Sequence, residues 1–400
     1  MSEAVLDPRF RRKPPKRPLR LSWSDERVRG IVWQILVVAV IAVIVWWLWS
    51  NTVRNLEIRR IATGFGFLNR EAGLPIAEHL IDYSPTDTYF RALVVGVLNT
   101  LKVAVVGIIL ATILGTMIGI ARLSRNWLLS RIAGVYVEAI RDVPLLLQLL
   151  FWYTILQGLP GPRQALNPVE GVFLSNRGLR LPWIDWQAAH SFALLAFVIG
   201  IAGTWAYARR ARRLQMADGQ PRKVWPIGLA LVIGLPIAVW GALGAPWTPD
   251  IPELRGFNFR GGIVVSPEYF ALLVGLVTYT SGFIAEIVRA GILAVSQGQW
   301  EAAQALGLRP GMLLRRIVLP QALRVIVPPM TSQYLNLTKN SSLAVAIGYQ
   351  DIVSIANTTL NQTGQAIEGI AIIMLVYLTI SLSISMFMNW YNARIALVER

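Results

Sequence analysis

Long apolar runs recur along this chain, and the charged residues are gathered into the segments between them. Residues 31–50 contain no charged side chain, and a helix needs about 20 such residues to cross a bilayer core. The same criterion predicts eight spans, at about 31–50, 89–121, 132–157, 188–208, 225–244, 268–295, 321–349 and 367–390. The fold class expected is therefore all-α, a polytopic transmembrane helical bundle. Two of the connections, 158–187 and 245–267, are rich in turn formers: Gly158, Pro160, Gly161, Pro162, Pro168 and Pro182 in one, Pro246, Pro249, Pro252 and Gly261-Gly262 in the other. They read as loops on the water side.

Charge orients the bundle. Alternating spans place 1–30, 122–131, 209–223, 297–320 and 391–400 on one side, with 23 Lys and Arg; the opposite connections hold nine. Lysine and arginine accumulate on the cytoplasmic side of membrane proteins, so both termini are expected there. The net charge of +16 would otherwise suggest nucleic acid, but it is divided among short juxtamembrane segments and forms no single patch. The basic, Pro-rich tail 1–30 reads as a lipid-surface segment. The run at 31–50 is too long for a signal-peptide core, and Trp46, Trp47 and Trp49 close it like an interfacial belt.

The most informative connection is 297–320. Trp300-Glu301-Ala302-Ala303-Gln304-Ala305-Leu306 is a good short helix; Gly307 can end it in a left-handed cap, and Arg309-Pro310 restarts the chain in a new direction. Ala302 and Ala303 are small enough to let another protein pack closely, and a second segment ending at Pro320 would anchor the short helix as a lever.

Glu301, Ala302, Ala303, Gly307, Ile317, Leu319 and Pro320 together match every specified position of the EAA signature, and the chain thereby resembles the permease subunits of bacterial ABC importers. The flanking spans are similar to the polar amino-acid branch, through Glu138-Ala139-Ile140-Arg141-Asp142-Val143-Pro144, Tyr279–Ile292 and Lys339-Asn340-Ser341-Ser342-Leu343. Asp142-Val143 stands where that branch usually has Gly-Thr. The resemblance covers about 88–157 and 268–392, a type I importer core, with an extra first span at 31–50 and an insertion at 158–267 carrying two further spans. This enlarged architecture is similar to one permease subunit of the general L-amino-acid transporters. The resemblance implies that 297–320 couples to a cytoplasmic ATPase, expected in two copies. It also implies a second, related permease subunit and a periplasmic amino-acid-binding protein as partners, and alternating access as the mechanism.

Charged residues inside spans are costly and mark either routes or pairs. Lys339, with Asn340 and Ser341, is the leading candidate for a substrate route, and a buried pair between Lys339 and a carboxylate such as Glu286 is the alternative. Glu286 and Arg289 lie three apart on one helix face and can pair with each other; Arg289 can also snorkel to the cytoplasmic surface. Lys102 is expected to face a subunit interface. No lysine is followed by Ser or Thr, so no Walker A loop exists and ATP is expected on the partner ATPase alone. The two histidines lack ligand-like neighbours and there is no cysteine, so no metal or other cofactor is expected on this chain. An ion-coupled secondary transporter is the alternative reading; it predicts matching halves with acidic midspan residues, and these are not evident.

Overall fold

A computed structural model describes residues 26–58 and 63–395; most of the basic tail 1–30 lies outside the described residues. The first helix, α1 (Glu26–Ile58), is apolar on all sides, and almost every described side chain along it is exposed. Hydrocarbon is the solvent such a surface requires.

The core begins at α2 (Tyr89–Arg122), whose N-cap Thr88 accepts from the Arg91 amide. It packs along α8 (Pro267–Leu293), which starts at the N-cap Ser266 and runs parallel to α2. Two glycines set the separation of these helices. A Cβ on Gly115 would sit 2.7 Å from the Ile284 Cβ, and one on Gly119 would sit 2.7 Å from the Ala285 carbonyl oxygen and 2.9 Å from the Val288 Cβ. Small residues let membrane helices approach in this way, because lipid gives no hydrophobic drive for association and packing must supply it.

The expected span at 132–157 is broken. It consists of α3 (Trp127–Asp142) and α4 (Leu145–Gln157), bent by 103°. Pro144 disfavours helical backbone at the residue before it, and Val143 is extended (φ −93°, ψ 127°). The Gln148 side chain repairs the break by donating to the carbonyls of Ile140 (2.9 Å) and Val143 (3.0 Å). Asp142-Val143 therefore supports a sharp bend in place of Gly-Thr.

The insertion carries α5 (Ala188–Asp218), α6 (Trp225–Leu229) and α7 (Leu235–Ala242), the last two joined by a π-helical turn at Ala230–Gly234. They pack on one another as a hairpin. The connections at its foot are not plain loops. Short strands β1 (Leu166–Val169), β2 (Val172–Ser175) and β3 (Gly178–Leu181) from one side join a strand from the other, β8 (Ile263–Val265), in an antiparallel sheet ordered β1-β2-β3-β8. Between them, β4 (Trp183–Ile184) pairs with β5 (Pro249–Asp250), and β6 (Glu253–Arg255) with β7 (Asn258–Arg260). Helices still make up the membrane part, but the turn-rich segments use their Gly and Pro residues to build this small sheet.

After α8 come α9 (Gln297–Ala305) and α10 (Pro310–Leu313), a π-helical turn at Leu314–Val318, then α11 (Leu319–Asn340). Both π turns are followed by proline at the second residue beyond them, Pro236 and Pro320. A proline lacks the N–H that closes the preceding turn, and its ring crowds the carbonyl four residues back; a wider turn accommodates both. A 3-10 segment (Ser341–Ile347) leads on to α12 (Ile352–Thr363) and α13 (Ala366–Ile395).

Six helices among the described residues are long and apolar enough to cross a membrane, or seven if α3 and α4 form one bent span. Of the eight expected spans, the one at 321–349 does not meet this criterion. There α11 carries Arg324, Pro328, Pro329, Lys339 and Asn340 and is too polar to qualify by composition. It is packed between α8 and α13, and protein rather than lipid covers much of it. The main core joins Leu149, Leu272, Leu276, Ile284 and Leu337, all fully buried. A second core gathers Phe67, Tyr89, Val95 and Ile352.

Candidate functional site

The α9 helix ends in a Schellman motif. Gly307 is left-handed (φ +71°); its amide donates to the Gln304 carbonyl at 2.9 Å, and the Leu308 amide donates to the Ala303 carbonyl at 3.2 Å. That geometry satisfies the last carbonyls of the helix and turns the chain towards α10. Trp300, Ala303 and Leu308 fasten α9 to the main core, with Ala303 only 1% exposed. The pairing of Ala302 and Ala303 as one packing surface is thus corrected: Ala302 faces outward and Ala303 inward, since adjacent helical residues point about 100° apart. Glu301, Ala302 and Leu306 form the outward face, and Leu306 is 78% exposed.

Behind this helix, Ile317 is packed on the core, while Leu319 lies on the wall of an apolar cavity of about 400 Å³ between α2, α8, α11 and α13. Pro320 is exposed and lies within the first turn of α11. It does not end the second segment; helix runs unbroken in α, π and α form from Pro310 to Asn340. Gln321 donates to the Gln299 side chain at 3.4 Å, tying α11 to α9. The loop is thus a short exposed helix joined to the foot of one long rod.

The five residues assigned to a substrate route fall in two places. Glu286 is held by Arg289 at 2.6 Å and by Arg122 on α2. Lys339, Asn340 and Ser341 lie at the far end of α11. Leu337 meets α2 at Gly107 whereas Glu286 meets it at Arg122. Those contacts are 122 − 107 = 15 residues apart, or about 22 Å along a helix rising 1.5 Å per residue. Glu286 is therefore engaged with the two arginines instead of Lys339. The Lys339 side chain is exposed and has no carboxylate within ion-pair distance among the described residues. Ser341 is buried, donating to the Thr338 carbonyl at 2.7 Å.

Lys102 is paired within the chain: its Nζ lies 2.8 Å from the Glu78 carboxylate and 4.0 Å above the Tyr269 ring. The other Glu78 oxygen accepts from the Ser266 amide at 2.9 Å, and Asn99 donates to the Glu78 carbonyl at 2.9 Å. These groups clasp the segment before α2 onto the start of α8. The candidate residues derived from the sequence did not include Glu78, Arg122 or Leu306. Leu306 had a usable signal, a large apolar residue beside the helix-ending glycine; the other two are paired across long sequence separations. Among the described residues, no cluster of His, Asp or Glu could hold a metal ion.

Residues 222–397 match a family described as the inner-membrane component of binding-protein-dependent transport systems, a stretch that includes all of 297–320. The ABC transporter permease protein YhdX of Escherichia coli K12 is 53% identical over 95% of this chain and 97% of its own length. The general L-amino acid transport system permease protein AapQ of Rhizobium johnstonii is 50% identical over 95% of this chain and 96% of its own. The glutamate/glutamine/aspartate/asparagine transport system permease protein BztB of Rhodobacter capsulatus is 45% identical over 97% and 99% respectively. Membership at this level displaces the ion-coupled alternative, because family members work with a separate ABC ATPase. The chain belongs to the binding-protein-dependent ABC permease family, in its polar amino-acid branch, as a multi-pass inner-membrane protein that is a transport subunit and not an enzyme.

Proposed function

We propose that this chain forms one half of the translocation pathway for L-amino acids, working by alternating access beside a second, homologous permease subunit. A cytoplasmic ATPase, two copies of which serve the permease pair, docks on this chain through 297–320, and a periplasmic binding protein delivers substrate. The single observation that supports this best is the complete signature, Glu301 to Pro320, folded as an exposed helix on the foot of a long rod. When the ATPases close on ATP, α9 moves with them and α11 swings against α8. The core for this motion is assigned to 88–157 and 268–392, with 158–267 as an insertion. The names of the curated relatives favour a broad set of L-amino acids, acidic ones and their amides included. Reconstitution tests the reading: uptake into proteoliposomes should require the permease pair, the ATPase, the binding protein and ATP together. Uptake driven by an ion gradient without ATP would reject it.

The cytoplasmic position of both termini rests on the lysine and arginine asymmetry. With no native cysteine to interfere, a cysteine at Gln215 is expected to be shielded from an impermeant thiol reagent in intact cells, and one at Asn167 to be labelled. The reversed pattern would refute the orientation.

Lys339 is assigned to the substrate route because it is the exposed cation at the end of α11, with Asn340 beside it. A zwitterion crossing the membrane needs each charge compensated or kept hydrated. Lys339→Met is expected to lower uptake roughly tenfold, about the worth of one charge-assisted hydrogen bond, with the yield of assembled complex unchanged. Wild-type uptake by this variant would remove Lys339 from the route. Glu286 and Arg289 are assigned to the inner end of the same route, where they pair with each other and Arg122.

A further inference from the structure

At the end of α2, beside the pair just described, lies an open cavity of about 520 Å³ lined by Arg122, Arg125, Arg131, Arg289 and Glu138. Glu286 stands behind Arg122 and Arg289. Four arginines against two glutamates, 4 − 2, leave a net charge of +2. Arg122 and Arg289 are partly neutralised by Glu286, but Arg125 and Arg131 are exposed and have no ion pair among the described residues. Such a site favours an anion.

The rim says which kind. Trp127 and Val135 line this cavity and are themselves exposed, Trp127 by 76%. On the same helix Leu128 and Ile132 are also exposed. A surface of that composition is covered by lipid tails at membrane depth, and tryptophan settles at headgroup level. The basic cavity therefore opens beside lipid, at the end of the bundle where α8 passes into the coupling loop. Arginine suits a phosphate group, offering a planar fork of donors and a charge that persists at any physiological pH.

We propose that this cavity binds the phosphate of an anionic phospholipid from the leaflet on the coupling-loop side, with Arg125 and Arg131 as the principal contacts and Trp127 against the glycerol and upper chain. The site requires only that the chain sits in a bilayer and does not depend on which solute is carried. Its position gives it a purpose. A lipid headgroup clamped to α3 and to the end of α2 braces the place where Arg122 and Glu286 join α2 to α8, next to the segment that must move during transport.

The test is native mass spectrometry of the whole transporter after delipidation, titrated separately with phosphatidylglycerol, with phosphatidylcholine of the same chains, and with inorganic phosphate as competitor. Phosphatidylglycerol is expected to be retained in preference to phosphatidylcholine, and Arg125→Gln with Arg131→Gln to weaken that retention about tenfold, since each basic residue near an anionic surface contributes severalfold. Arg212→Gln with Arg213→Gln, which removes the same charge from exposed positions on α5, is expected to leave it unchanged. Both pairs are solvent-exposed, so neither should disturb folding. Equal retention by the Arg125/Arg131 variant and the native protein would overturn the assignment, as would an equal loss in the Arg212/Arg213 control. Displacement of the lipid by millimolar inorganic phosphate would also overturn it, since the site would then be one for a free anion.

Discussion

Leu306→Asp, and separately Glu301→Lys, should abolish ATP-dependent uptake while the chain still inserts and accumulates in the membrane. Neither side chain supports the fold of this subunit: both lie on the outward face of α9, and the helix is fastened through Trp300, Ala303 and Leu308. The exposed leucine has the character of an interface anchor. Burying a leucine side chain contributes about 2 kcal/mol, so losing that contribution costs roughly 30-fold in affinity for the ATPase. Introducing a charge into the buried contact adds a desolvation penalty to that loss. Co-purification with the ATPase and uptake should fail together. Full ATPase recovery with either variant would show that α9 is not the docking element. Gly307→Val should act differently. No neighbour lies within 4 Å of a Cβ there, yet the backbone is left-handed at φ +71°. Strain of about 1–2 kcal/mol would therefore loosen the end of the helix without blocking its face.

The second large effect is expected inside the bundle. Gly119→Leu should remove most of the correctly folded protein, because the first added carbon already meets the Ala285 carbonyl oxygen at 2.7 Å, and the remaining branch has nowhere to go. Overpacking of this kind costs about 1–3 kcal/mol when side chains can yield. Here one of the obstructing atoms belongs to helix backbone, so α2 and α8 must separate. Gly241→Leu on α7 is the control, with no heavy atom within 4 Å of its Cβ position. Monodisperse yield in detergent reads both. A normal yield for Gly119→Leu would mean that the two helices are not held at this distance in the membrane.

Much of this architecture could be read from the chain because each span is a contiguous signal. The loop 297–320 was legible for a related reason: its helix, glycine stop and proline restart are consecutive, and local rules suffice. The Glu286–Arg289 pair followed from its spacing of three. The third member, Arg122, lies 164 residues away in sequence, and no periodicity reaches that far. Glu78 and Lys102 meet only because the segment before α2 folds back on it. Pro144 was visible, but a proline in a span announces a break without giving its angle; the 103° bend depends on extended Val143 and on the Gln148 side chain that closes the gap. The foot of the insertion was hidden because its strands are two to four residues long, too short for an alternating pattern to stand out from a turn-rich loop.

That sheet sets how the insertion is attached. Leu181 pairs with Ile263 and Leu179 with Val265 across neighbouring antiparallel strands, about 5 Å apart. Everything between, α5 to α7 included, leaves the core and returns to it through one strand spacing. The polymer ends of the whole excursion are thus pinned to each other before the excursion begins. To the core, the insertion is equivalent to a hairpin turn, whatever its length. A linker of two residues could close the same gap without moving α4 or α8. The hairpin of helices can likewise tilt in the bilayer, take on lipid or meet another subunit, and the only strand of the sheet that leads directly into the moving core is β8, which feeds α8 at Ser266.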